Sequence, residues 1–420
     1  MMQLRCPRGT RDLWGDELAT ARFVVSKMRS VFERFGFQEV QTPIFEHLEL
    51  FLVKSGSEII KQIYDFEDKS GRKLALRPEL TAPAIRFFIQ HLKRNPPPVR
   101  LFYFGECFRY EEPQAWRWRE FTQAGCEIIG SPNPQADAEV ISLTCEIMRE
   151  VGMNDWKLRI GDVGILRNVL ASVGVKEEKQ DPILRAVDSG NRNRILEELR
   201  KAGVPEEEYE RLLKIFSLRG DFRVFQKLSE FDIDESMLER SKELLRILRE
   251  AGEKFEIDLG IARGLDYYTG TVFEVYVGDV QVAGGGRYDT LVERLGGPKT
   301  PATGVGFGVD RISSLLLKDS KAEKPIKPLV YVVPLERDLL PKALEISNML
   351  RRKGIVTEME VMERSLQKAL SHADSMGMRF AVIVGRREVS AGQVALRDLK
   401  TKKQETVKIE ELVSALKSVA

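Results

Sequence analysis

The chain predicts an α+β protein. It would hold a mostly antiparallel sheet with flanking helices, a helical insertion that interrupts the sheet, and a separate C-terminal α/β domain. Three observations carry this. Segments 99–110 (VRLFYFGECFRY) and 120–129 (EFTQAGCEII), then KFEIDL at 254–259 and TVFEVYVGDVQVA, have the β-rich, partly alternating pattern of strands in an antiparallel sheet. Residues 165–250, between them, are dense in Glu, Lys, Arg and Leu and are punctuated by Asp181-Pro182 and Gly203-Val204-Pro205, as expected for helices that contribute no strand. Lys318–Pro328 reads KDSKAEKPIKP, a linker with little to bury, so a new domain begins near Leu329. At roughly 100–200 residues per domain, 420 residues accommodate two or three.

Ala21, Val25, Met28, Phe32 and Phe35 recur at alternating steps of four and three, which predicts an amphipathic helix over 17–35, ended by Gly36. FQEVQTPIFE follows, with Pro43 inside it. Proline cannot donate to a ladder, so this run belongs at an edge or bulge, where a second subunit could pair. Strands 99–110 and 120–129 are joined by the arginine-rich loop EEPQAWRWR, a hairpin with a long loop. The expected sheet has six or seven strands. Beyond the linker, PLVYVVPL is a strand, Leu339, Ala343, Ile346 and Leu350 give a helical stripe, and RFAVIVG is another buried strand. Together they predict a compact domain with a parallel sheet. The sequence contains no internal repeat.

Composition removes several function classes. With 43% hydrophobic and 31% charged residues the chain is an ordinary globular protein. Lys and Arg number 66 against 64 Asp and Glu, so net charge gives no case for nucleic-acid binding and any such case must come from a local site. Cys6, Cys107, Cys126 and Cys145 lie far apart without a CxxC pair, which disfavours a zinc site or a disulfide scaffold and fits a reducing cytosol. The N-terminus lacks a signal-peptide core and no stretch approaches the ~18 apolar residues of a membrane span, so the expected setting is cytoplasmic, without membrane contact.

Four strings carry chemistry. RGLDYYTG at 263–270 sets a permanent cation, Arg263, beside Tyr267 and Tyr268, groups suited to a planar polar ligand next to an anion. Otherwise it is a tyrosine-rich turn. In LRPELTAP at 76–83, Glu79 and Thr81 project to one side if the backbone is extended, where they would hold an ammonium group; alternatively Thr81 caps a helix. FRYEEPQAWRWREF at 108–121 gathers Arg109, Arg117 and Arg119 with Glu111 and Phe121. Arginine forks match phosphate oxygens and an aromatic face stacks on a purine, whereas a purely solvated loop would not expose Trp116 and Trp118. In GVGFGVDR at 304–311 the glycines permit close backbone approach before Arg311. AGGGRYD at 283–289 is also glycine-rich, with neither Rossmann nor Walker spacing.

In order and spacing these strings resemble the motifs of class II aminoacyl-tRNA synthetases, and RGLDYYTG with LRPELTAP is similar to the histidine-specific signatures of the histidyl-tRNA synthetase family. The likeness spans nearly the whole chain. RGTRDLWGDE and the first helix resemble the family's start and motif 1, 108–129 motif 2, 304–311 motif 3, and the last domain, with QVALRDL, an anticodon-binding domain. The resemblance implies a catalytic domain in two parts, 1–164 and 251–318, an insertion at 165–250 near the tRNA acceptor stem, a linker at 319–328 and an anticodon-binding domain at 329–420. It implies activation of L-histidine with ATP and Mg²⁺ to histidyl-adenylate, transfer to the 3′ end of the histidine tRNA, and a homodimer touching through helix 17–35 and the edge near Pro43. No dedicated metal site in the protein is implied.

Carried over by resemblance, Glu79, Thr81 and Gln123 hold the histidine ammonium, Leu80 also belongs to the histidine site, Glu127 and Tyr268 contact the imidazole nitrogens, and Tyr267 shapes the pocket. Arg109 and Arg263 are the catalytic cations and also line the histidine site. ATP meets Arg109, Glu111, Phe121 and Arg311, with adenine on Phe121, and Gln114 and Arg117 face the tRNA acceptor end. The loop departs from the common pattern by lacking a glycine near Trp116 and a second arginine near Glu112, which puts the contacts to the extra 5′ nucleotide of this tRNA in doubt. RGLDYYTGTVFE and the loop resemble archaeal and eukaryotic members more than most bacterial ones.

Two other classes compete. A synthetase-like regulatory subunit of histidine biosynthesis would lack a tRNA-handling C-terminus, and a class II enzyme for proline, threonine or glycine would lack RGLDYYTG. An unrelated ATP-using ligase would not carry the four motifs in this order.

Overall fold

Two anchors seat the N-terminal helix, Gly15–Arg34, against its sheet. Phe32 stacks on Phe102 with ring centroids 5.0 Å apart, and Met28 and Val31 are fully buried beside it. The buried stripe is Thr20, Val24, Met28, Val31 and Phe32. It is rotated from the expected one, leaving Ala21, Val25 and Phe35 at its half-buried flank, because helices Pro134–Glu150 and Val309–Lys318 pack along the Val24 side. The computed structural model describes residues 5–52, 61–112, 117–229, 231, 235–263, 267–318 and 329–417. The chain divides into two units, Met1–Glu323 and Lys324–Ala420; the linker expected at 319–328 lies outside the described residues.

The first unit is built on a nine-stranded sheet. In spatial order its strands are β1 (Gln38–Glu39), β5 (Val99–Phe108), β6 (Glu120–Ile129), β12 (Ala302–Gly308), β11 (Val280–Arg287), β10 (Thr271–Val277), β7 (Trp156–Asp162), β9 (Glu256–Asp258) and β8 (Arg219–Gly220). From β5 to β7 six strands are antiparallel throughout. The short flanking pairs β1–β5 and β7–β9 are parallel. The two extra edge strands have two residues each, too short to show alternation. Pro43 lies between edge strand β1 and β2 (Phe45–His47), which is itself an edge of a small antiparallel sheet with β4 (Lys73–Leu76) and β3 (Asp65–Glu67).

The insertion region supplies helices Gln180–Asp188, Arg192–Ala202, Tyr209–Phe216, Arg223–Ser229 and Glu235–Glu250. Asp181-Pro182 opens the first of these instead of separating elements, since proline fits a helix's first turn. Gly203, at φ 87°, ends the second in the left-handed conformation. Contrary to expectation the region does contribute a strand. Arg219 of β8 pairs with Asp258 of β9, reinforced by their side-chain ion pair at 2.5 Å. Ile183, Leu212, Ile215, Leu238 and Leu245 belong to the same continuous apolar core as the sheet.

The second unit has a mixed five-stranded sheet in the order β14 (Thr357–Met359), β13 (Val330–Pro334), β15 (Phe380–Val384), β16 (Gln393–Asp398), β17 (Gln404–Lys408). Only β14, β13 and β15 run parallel, as expected of all its strands; β16 and β17 are antiparallel. A parallel pairing needs a crossover of about a dozen residues or more, and the connections 385–392 and 399–403 are too short. No described helix is long and apolar enough to cross a membrane.

One buried ion pair fastens the sheet to its helices. Arg287, at the end of β11 and 1% exposed, donates through Nε to both oxygens of Asp137 at 3.1 and 3.0 Å, and through its two other nitrogens to the carbonyls of Ser131 and Asn133 at 3.0 and 3.2 Å. Arg240 of the insertion reaches the same carboxylate at 3.0 Å. Asp137→Ala therefore takes from Arg287 its buried carboxylate, leaving only half-exposed Asp289 at 3.0 Å and the two carbonyls, and should cost about 1–3 kcal/mol, measured as a lower urea midpoint for unfolding.

Candidate functional site

Over the centre of the large sheet the floor is bare backbone. Gly304 stands opposite Glu127, Gly306 opposite Gly125, and Gly284 opposite Gly306, all on one face. The space a side chain would fill is taken by groups from elsewhere. A Cβ at Gly304 would lie 1.6 Å from Oε2 of Glu127, and one at Gly284 1.4 Å from Nη1 of Arg263. This close approach is what GVGFG and AGGGR provide. The cleft above holds about 960 Å³ free of protein atoms, open to solvent.

A chain of oxygens crosses one end. Glu79 accepts the backbone N–H of Thr81 at 2.6 Å and of Ala82 at 2.9 Å, so LRPELTAP is a turn into helix Thr81–Phe87, with Glu79 as its anchor, instead of an extended pair. The Thr81 hydroxyl lies 3.3 Å from that of Tyr103, which donates to Oε1 of Glu127 at 2.7 Å, while Tyr288 donates to Oε2. Burial, then the adjacent Glu127 charge, pushes both tyrosine hydroxyls well above their ordinary pKa, so they remain protonated donors. Tyr267 lies edge-on to Tyr288 at 5.6 Å, and its ring and that of Tyr268 are 4.6 Å apart. Gln123 takes a hydrogen bond from the Cys107 thiol, whose pKa burial pushes up to about 12.

The other end is cationic. Arg109, Arg117 and Arg311 line it with Glu111, Trp118 and Phe121. The Arg109 guanidinium lies 5.2 Å from the Phe121 ring centre, and Glu111 is 3.9 Å from Arg109 and 3.7 Å from Arg117. The Arg311 pKa is lowered, first by burial and then by the like charge of Arg117. Arg119 turns away from the cleft, donating through Nε to the Glu111 carbonyl with its guanidinium over Tyr110. Arg263 spans the two ends. Burial alone would lower its pKa, but Tyr268 and Glu274 outweigh that and raise it.

Of the residues expected at a site, Glu79, Thr81, Arg109, Glu111, Arg117, Phe121, Gln123, Glu127, Arg263, Tyr267, Tyr268 and Arg311 line this one cleft. Leu80 does not: it is 2% exposed and packs in the apolar core, as the residue between two turn-facing polar ones must. Gln114 and Trp116 lie outside the described residues. Tyr103, Tyr288 and Asp310 were not anticipated. Tyr288 closes the AGGGRYD string, and Tyr103 shares a face with Gly125, so strand alternation was the available signal. Asp310 accepts from Arg11 and from the Thr122 backbone, each at 2.5 Å. Among the described residues no group of three or more His, Cys, Asp or Glu is placed to hold a metal ion.

The model of the family described as histidyl-tRNA synthetase matches residues 9–312, and that of an anticodon binding domain matches 329–419. The histidine–tRNA ligase of Methanocaldococcus jannaschii is 42% identical over 413 residues, covering 97% of this chain and 98% of that protein. That of Archaeoglobus fulgidus is 44% identical over 439 residues, covering 99% and 100%. The crystal structure of histidyl-tRNA synthetase from Nostoc sp. PCC 7120 superposes with a TM-score of 0.78 at 27% identity, covering all of both chains.

Since Gly304 leaves no room for a Cβ beside Glu127, Gly304→Ala should turn that carboxylate off Tyr288. The expected cost is about 1–3 kcal/mol for the unsatisfied buried groups, checked by thermal melting and a crystal structure of the variant.

Proposed function

The chain belongs to the histidyl-tRNA synthetase family, and we propose how its cleft performs the reaction that membership entails. It is a histidine–tRNA ligase, which joins histidine to ATP as histidyl-adenylate with release of pyrophosphate and then passes histidine to the 3′ end of its tRNA. The observation that carries the assignment of roles is the polarity of the cleft, with protonated tyrosines around Glu127 at one end and three arginines at the other, bridged by Arg263.

Histidine would lie at the tyrosine end. Glu79, Thr81 and Gln123 take its ammonium group, and Glu127 with Tyr268 takes the imidazole nitrogens. Tyr103 and Tyr288 hold Glu127 in place from both sides. ATP would lie at the arginine end, with adenine on Phe121 and the phosphates toward Arg109 and Arg311. The lowered Arg311 pKa fits this, since crowded like charges are relieved by a polyanion. A histidine carboxylate oxygen attacks the α-phosphorus, and the bond to the bridging oxygen breaks as pyrophosphate leaves. Arg109 and Arg263 stabilise the charge that grows on the α-phosphate. The Nε of Arg263 is buried without a hydrogen-bond partner among the described residues, and a phosphate oxygen supplies one. No protein nucleophile enters.

Mg²⁺ binds through few protein carboxylates and the phosphates themselves, and Glu111, set between Arg109 and Arg117, fits that sparse requirement. When bound, the ion offsets the charge of the departing pyrophosphate. Arg117 lines the arginine end of the cleft, and we assign it and Gln114 to the acceptor end of the tRNA. The second unit takes the anticodon, and the insertion lies near the acceptor stem. Four unpaired cysteines accord with a cytoplasmic setting.

A homodimer completes the reading. The apolar face of helix 17–35 is spent on its own core, which leaves the edge near Pro43 as the contact. There Ile44, Phe45, Leu52 and Phe66 are each 41–53% exposed beside edge strands. Sedimentation should give twice the 47.9 kDa of one chain, and Phe45→Glu should shift it toward one.

Pyrophosphate exchange into ATP should depend on histidine and on none of the other amino acids. Arg263→Ala should keep histidine binding while lowering adenylate formation by on the order of 10²-fold; an undiminished rate would remove Arg263 from the mechanism.

A further inference from the structure

Arg263 has φ 49°, in the left-handed region that a side-chain-bearing residue occupies only when something holds it there. What holds it comes from the insertion. Asp188, the last residue of helix Gln180–Asp188, accepts the backbone N–H of Arg263 at 2.7 Å and that of Ala262 at 3.1 Å on a single oxygen, Oδ1. Two charge-assisted bonds to consecutive amides fix the peptide between them, and with it the direction in which the Arg263 side chain leaves the backbone. That direction is demanding. The guanidinium must pass over Gly284, where Nη1 reaches the Phe273 carbonyl at 3.3 Å and stands 3.9 Å from Glu274, with Cζ 5.6 Å from the centre of the Tyr268 ring. Glu274, Tyr268, Tyr267 and Asp188 are the negative or polar groups that face it.

We propose that Asp188 is the positioning residue for Arg263, so that the helical insertion sets the geometry of adenylate formation although it supplies no group that touches the reacting atoms. This rests on the proposed role of Arg263. The residue is exposed at the rim of a second cavity between the insertion and the sheet, lined also by Arg159, Arg192, Lys214 and Glu274. Its carboxylate is thus not part of the apolar core, and its replacement leaves packing intact. Any displacement of helix Gln180–Asp188 is carried through two hydrogen bonds to the catalytic arginine.

The test compares Asp188→Ala, Asp188→Asn, Arg263→Ala and the double variant Asp188→Ala/Arg263→Ala in single-turnover adenylate formation by the full chain. Asp188→Ala should lower the rate by on the order of 10²-fold, the loss expected of a catalytic group misplaced by about 1 Å, with the KM for histidine and ATP and the melting temperature held. Asp188→Asn keeps an oxygen where Oδ1 stands and should restore most of the rate. The double variant should be no slower than Arg263→Ala, because Asp188 acts only through the arginine. Losses that multiply in the double variant, or a full rate in Asp188→Ala beside an impaired Arg263→Ala, overturn the positioning role and leave that of Arg263 standing. A full rate in Arg263→Ala overturns the arginine's role first and this inference with it.

Discussion

A charged side chain can lie flat on a β-sheet only where the sheet carries no Cβ, and the site depends on that constraint. Gly284 and Gly304 leave the backbone of β11 and β12 uncovered, and Arg263 and Glu127 occupy the vacated space at distances no side-chain carbon would tolerate. Elsewhere the same strands bury ordinary apolar residues such as Val282, Val305 and Phe307. The sheet thus alternates a packed face, which seats helices Gly15–Arg34, Pro134–Glu150 and Val309–Lys318, with a stripped face over which the cleft opens.

How legible this was in the sequence varied with the range of the interaction. Strands 99–110 and 120–129, the helices of the insertion and the α/β character of the last unit have local periodicity and were readable. β1 and β8 have two residues each and exist only because β5 and β9 offer them an edge, so no local pattern could reveal them. The stripe of the first helix was misplaced for a related reason: Val25 and Phe35 are as apolar as Val24 and Val31, and only the sheet and helices packed against it, Pro134–Glu150 and Val309–Lys318, decide which side is buried. Motif strings marked most of the residues that line the cleft. Tyr103 and Asp188 were hidden because their significance lies in partners 24 and 75 positions away.

In the proposed reading, selectivity would rest on the same oxygen chain. Tyr103 and Tyr288 both donate to Glu127, and their raised pKa values make them donors and not anions across the physiological range. A carboxylate held by two hydroxyls keeps a fixed orientation. If the imidazole nitrogens meet Glu127 and Tyr268 as proposed, an amino acid of similar size without them would lose those hydrogen bonds, the kind of penalty that underlies ~10⁴–10⁵-fold discrimination in polar pockets. Hydrophobic shape alone discriminates far less.

Near-neutral net charge, which argued nothing at the sequence level, conceals a steep local field. Burial first, then the like charge of Arg117, lowers the Arg311 pKa, while Glu111, 3.9 Å from Arg109 and 3.7 Å from Arg117, opposes the shift. Such crowding is costly in the empty protein, since like charges in a partly buried site repel without full screening. Fold stability gives no reason to keep it. A triphosphate placed there, as proposed, would convert those repulsions into attractions. Arg263, by contrast, is balanced by Glu274 and Tyr268 in the absence of ligand. In the roles proposed above, the two kinds of arginine would suit different tasks: the set near Phe121 would draw the nucleotide in, and Arg263 would meet the charge that develops only as the new bond forms.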